Sequence, residues 1–171
     1  YTATVSAEDP LGNEVSSGGE WTFTTVRPPA EPGLCPCTLF DDGKVPAVLE
    51  AADHDAVTLG VRFTPDTNGQ VSAVRFYKGV NNTGTHEGAL WSASGQLLAS
   101  GTFEDESTTG WQTLVFDAPV QVRKDTEYVA SYRTTVGRYS VDSNGFSEAD
   151  LSRPPLHVTQ MAGAYTYGSG F

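Results

Sequence analysis

The chain has 171 residues, with ten Lys plus Arg against 21 Asp plus Glu and a formal net charge of −11. That balance disfavours a nucleic-acid partner, whose binding rests on cationic neutralisation of phosphates, and an anionic membrane surface for the same reason. No run reaches the about 18 apolar residues that a spanning helix needs, so membrane insertion is not expected.

Residues 1–26 read as two strands. Tyr1, Ala3, Val5 and Ala7 alternate with polar neighbours, as do Trp21 and Phe23, and Glu8-Asp9-Pro10-Leu11-Gly12-Asn13 supplies turn residues between them. The pattern of Tyr1, Val5, Gly12-Asn13 and Trp21-Thr22-Phe23-Thr24-Thr25 resembles the last two strands of a bacterial immunoglobulin-like domain. It implies neighbouring immunoglobulin-like domains as partners within a longer chain. The start on Tyr1, inside a strand pattern, fits the same expectation.

Residues 27–34 form a linker. Pro28, Pro29 and Pro32 favour an extended, semi-rigid spacer. The only cysteines, Cys35 and Cys37, flank Pro36. A tight disulfide in an oxidising compartment is the favoured reading. Free thiols remain open, and a metal pair is the weakest alternative, because further Cys or His ligands are not at hand.

The main domain is expected over 35–171. Val57, Leu59, Val61 and Phe63 alternate with Thr58, Gly60 and Arg62, which predicts a half-buried strand. Residues 71–78 are apolar on both faces and read as a central strand. Residues 89–92 and 97–103 flank Ala93-Ser94-Gly95 as a hairpin. Further strands are expected over 111–116 and 126–134, with weaker signals over 136–141 and 165–167. Strands at this spacing with no amphipathic helical period predict an all-β fold, an antiparallel β-sandwich of jelly-roll-like kind.

Trp91 and Trp111 are candidates for stacking on a flat ligand such as a sugar ring, although an indole in a strand is more often core. Tyr77, Lys78, Asn82 and His86 lie around a loop whose donors and acceptors suit a hydroxyl-rich ligand. The competing reading is a loop that satisfies its own backbone. Acidic turns recur at Asp41-Asp42-Gly43, Asp66 to Gly69, Glu104 to Glu106 and Asp142 to Gly145. They make a structural calcium possible, although Asp-x-Asn-Gly is mainly turn chemistry. No other cofactor is expected.

Signs of catalysis are weak. There is no Gly-x-Ser-x-Gly elbow, and His54, His86 and His157 are scattered without metal-pair spacing.

Six blocks carry a more specific resemblance: residues 57–63, Arg75-Phe76-Tyr77-Lys78-Gly79, Thr83-Gly84-Thr85-His86 with Gly88 and Leu90-Trp91, Phe103 with Glu106, Gly110-Trp111-Gln112, and residues 128–132. Together they resemble the uncharacterised family called the domain of unknown function numbered four thousand and eighty-two, over 35–171. The resemblance implies a β-sandwich accessory module of a large secreted or cell-surface bacterial protein, and it implies no activity. The expected function is non-catalytic binding of a polysaccharide or cell-surface glycan. Tyr77, Lys78, Asn82, His86 and Trp91 are its candidate residues. The alternative is a structural or adhesive spacer that contacts proteins.

Overall fold

The computed structural model describes residues 7–8, 14–15, 35–143, 145–146, 151–168 and 170–171. Strands β1 (Ala7–Glu8) and β2 (Glu14–Val15) pair antiparallel. The rest of the first N-terminal strand pattern, the whole of the pattern at Trp21 and Phe23, and the linker 27–34 lie outside the described residues, and β2 falls in neither pattern.

The main domain is built from β3 (Val57–Pro65), β4 (Gly69–Lys78), β5 (Glu87–Ser92), β6 (Leu97–Thr102), β7 (Gly110–Val122), β8 (Tyr128–Thr134), β9 (Leu151–Arg153), β10 (Leu156–Val158) and β11 (Gly163–Thr166). Every pairing is antiparallel, and the described residues contain no helix. One sheet runs β6-β5-β8-β3-β10-β9, with β11 also on β3, and β4 pairs with β7 in the other. The two layers pack as a β-sandwich.

Alternation decides which side chains enter it. Phe63 and Leu90 of the large sheet point inward against Val74, Phe76, Leu114 and Phe116 of the β4–β7 ribbon. Phe76 stands edge-on to Phe103 at 4.9 Å and stacks on Tyr132 at 4.2 Å, adding ring geometry to the buried area. Gly88 lets the layers approach. A Cβ there would lie 2.6 Å from Val74 Cγ2 and 2.7 Å from Leu114 Cδ2.

Residues 71–78 are not a central strand: among the described residues β4 pairs only with β7. Its second apolar face is covered by a loop instead. Trp111, beside Tyr77 on that face, stacks on Phe40 at 6.0 Å and donates its indole N–H to Lys44 O at 3.0 Å. The weak signal at 136–141 yields only a bridge between Val48 and Val141. β9 and β10, which the sequence patterns missed, are three-residue strands around Pro154-Pro155.

The layers are unequal. The ribbon packs mainly over β5, β6 and β8, and Phe63 at the end of β3 reaches its core, while Leu59 and Val61 earlier in β3 are only partly covered. A wide cleft opens there, with Leu59, Val61, Ala130 and Tyr132 on its floor.

Candidate functional site

The five candidate residues do not converge. Lys78, Asn82 and His86 form one buried polar network, while Tyr77 and Trp91 lie on the outer sides of opposite layers.

His86 is fully buried and packs on Phe76 at 4.8 Å. Its Nδ1 lies 2.8 Å and 3.0 Å from the two Glu106 carboxylate oxygens, and Lys78 Nζ donates to the same carboxylate at 2.6 Å. On the other side, Nε2 is 2.9 Å from Asn82 Oδ1, which also faces Thr134 Oγ1 at 2.6 Å. Burial, the largest influence, and the Lys78 ammonium push the imidazole below its ordinary value against the pull of Glu106. The ring is therefore neutral at pH 7.

A neutral ring with its proton on Nδ1 donates to Glu106 and leaves Nε2 as an acceptor. That assigns the amide of Asn82 turned by half a rotation, so that Nδ2 faces Nε2 and Thr134 Oγ1. In the opposite orientation Nδ2 is a buried donor with no partner. The turned amide gives it two acceptors, and Thr134 Oγ1 keeps Gly137 O, at 3.2 Å, as its own acceptor. The network pins the 79–86 loop against β8. It offers no side-chain atom of Asn82 or His86 to solvent.

Tyr77 meets Trp111 edge-on at 5.6 Å, and the Arg75 guanidinium lies over the same indole at 4.9 Å. The charged side chains that line the adjoining cleft are mutually paired: Arg75 with Asp42 at 2.7 Å, Lys44 with Asp142 at 2.8 Å, and Arg153 with Asp41. Lys44 and the Ala47 amide hold the Asp142 carboxyl below the usual range. Four carboxylates of the acidic turns, Asp41, Asp42, Asp142 and Glu106, thus already have cationic partners. No group of three or more His, Cys, Asp or Glu among the described residues is placed to hold a metal. Cys35 and Cys37 are disulfide-bonded, with a Cα–Cα distance of 4.4 Å.

The outer side of the large sheet is different. Register aligns three rows of side chains across β3, β8, β5 and β6. Thr58, Arg133, Glu87 and Thr102 form a polar row. Gly60, Ser131, Ala89 and Ser100 form a low middle row. Arg62, Val129, Trp91 and Leu97 form a bulky one. A pocket of about 260 Å³ lies between the outer two rows.

Trp91 is its aromatic wall. The indole N–H donates to Ser131 Oγ at 2.9 Å, which fixes the ring along the middle row. At the β3 end the Phe171 ring covers Gly60, where a Cβ would lie 2.9 Å from its Cζ, and meets Trp91 edge-on at 6.3 Å. Across the pocket, Arg133 Nη1 and Glu87 Oε2 stand 3.9 Å apart, beyond hydrogen-bonding distance. Arg133 Nε is buried without a partner among the described residues.

Sequence reasoning singled out Trp91 here but missed Glu87, Arg133, Ser131, Ser100 and Thr58. These come from four strands, and only the pairing register unites them.

Neither the comparison with curated proteins nor that with solved structures returned a match. A family model does match, over residues 43–171, and the chain belongs to the family described as Domain of unknown function (DUF4082).

Proposed function

We propose that this domain is a non-catalytic recognition module whose ligand is carbohydrate, bound on the outer side of the large sheet against Trp91. One observation carries the reading. A fixed, half-buried indole faces a pocket that is ringed by hydroxyls and by an open Glu87–Arg133 pair. An indole face covers the C–H side of a sugar ring with little entropy loss, and the pair supplies both an acceptor and donors for hydroxyls. The non-catalytic part is supported by His86, whose carboxylate partner is matched on its other side by Asn82 rather than by a nucleophile.

The family resemblance, the spacer at 27–34 and the immunoglobulin-like pattern before it support a setting in a secreted or surface-attached multidomain bacterial protein. In such a chain weak single-site binding gains from repetition. The test is retention of the full chain on a panel of plant, fungal and bacterial polysaccharides. Retention by at least one polymer, lost in Trp91→Ala, supports the reading. No retention on any of them overturns it.

The alternative, a structural or adhesive spacer, draws on the self-contained Lys78–Glu106–His86–Asn82 network and on the exposed Met161, Tyr165 and Tyr167. Calcium stabilisation belongs to this alternative. A melting midpoint that falls on adding chelator supports it, and an unchanged midpoint counts against it.

A further inference from the structure

We infer that the Trp91 pocket reads a chain end, taking one or two neutral sugar units whose adjacent hydroxyls are held between Glu87 and Arg133. This rests on the carbohydrate reading above and adds the size and polarity of the ligand.

Size comes first. Pockets for drug-sized ligands run roughly 300–1,000 Å³. At about 260 Å³ this one lies below that range and suits one or two rings. Its length agrees. Phe171 covers Gly60 at the β3 end, which leaves β8, β5 and β6 as the open floor. Three strands span about 10 Å at the usual strand spacing. The other end opens at β6, the outermost strand of the sheet. A groove blocked at one end and open at the other admits a chain by its terminus; the middle of a long polymer would have to pass through Phe171.

Charge comes second. Glu87 and Arg133 face each other on paired strands yet stand 3.9 Å apart, so each keeps hydrogen-bonding capacity that a close ion pair would consume. The carboxylate accepts from one hydroxyl while the guanidinium donates to its neighbour. A ligand carboxylate or sulfate would meet Arg133 but also Glu87, within a chain of net charge −11. A neutral diol is the group that both can hold.

The experiment is a calorimetric titration of the full chain with methyl glycosides of glucose, galactose, mannose and xylose, and with their di- and hexasaccharides. The expected result is binding of one sugar type, an affinity that rises no more than about threefold from two units to six, and a loss of at least tenfold in Glu87→Gln and in Arg133→Gln. Thermal midpoints of the two variants control for folding, and Arg133→Lys, which keeps the charge but loses the planar fork, weakens binding less than Arg133→Gln. Affinity that climbs tenfold or more from disaccharide to hexasaccharide, or a preference for the matching uronic acids, overturns the chain-end inference and leaves the carbohydrate reading standing. No binding of any of these probes, together with no polysaccharide retention, overturns both. Polysaccharide retention without binding of the short probes overturns the inference alone.

Discussion

The indole N–H of Trp91 donates to the hydroxyl of Ser131 on the neighbouring strand at 2.9 Å, and that bond holds an aromatic ring along the sheet's outer side. Ser131 is itself buried, and its hydroxyl lies 3.4 Å from Ala89 O. The ring is therefore positioned by the sheet and not by a loop. Ser131→Ala removes the acceptor and costs roughly 0.5–1.5 kcal/mol, a usual net value for one hydrogen bond. Urea unfolding measures that loss. The freed indole also weakens retention on any polysaccharide the wild type binds, by more than this small change in stability explains.

Lys78 and Glu106 form the most enclosed ion pair among the described residues, with side chains only 12% and 10% exposed. Breaking such a pair leaves an unneutralised charge inside. Glu106→Ala, which also strips the acceptor from His86 Nδ1, is expected to destabilise by roughly 3–5 kcal/mol. A double-mutant cycle of Lys78→Met with Glu106→Gln should show a coupling of roughly 0.5–3 kcal/mol. Simple additivity would mean that solvent already screens the pair.

His86 makes stability depend on pH. Its folded-state value lies below the ordinary imidazole value because burial opposes the cation. The unfolded chain therefore binds the proton more readily, so stability rises with pH across the window between the two values. Full stability from this group is present above about 6.5, the ordinary value for a histidine in an unfolded chain. It drains away as pH falls from there through the lower folded-state value. Chemical denaturation at pH 7.5 and pH 5.5 should show the loss in the wild type and a smaller one in His86→Gln. Equal slopes would contradict the assignment of a neutral ring.

Gly88 and Gly43 give a paired test of layer packing. Gly88→Ala places a methyl group against Val74, Leu114 and Phe103, all closer than 3.0 Å, and overpacking of this kind costs roughly 1–3 kcal/mol. Gly43→Ala meets nothing within 4 Å and should be neutral or slightly stabilising. Thermal melts of the two variants separate the cases.

Much of the fold was legible in the chain, for a definite reason. Strands such as β3 and β8 carry a period-two pattern that survives without any knowledge of partners, and the β5–β6 hairpin announces itself through Ala93-Ser94-Gly95. β9 and β10 are too short to show a period. β7 runs past Phe116 because a register shift opposite Val71 and Ala73 absorbs Pro119, which a ladder position would exclude. The same limit governs the site. Trp91 stands out by residue type, but Glu87 and Arg133 are separated by dozens of residues and meet only through pairing of β5 with β8. His86 and Asn82 show the converse. Their composition suits a sugar and a buried network equally well, and Glu106, twenty residues from His86, decides between them.

The most direct test of the proposed sugar site is a two-dimensional amide spectrum of the full chain, recorded while the best-retained sugar from the panel is added as its disaccharide. Shifts are expected to concentrate at residues 87–91, 100–102 and 131–133, on the outer side of the large sheet. Shifts confined to 79–86, or to Phe40, Tyr77 and Trp111 on the opposite layer, would contradict that site.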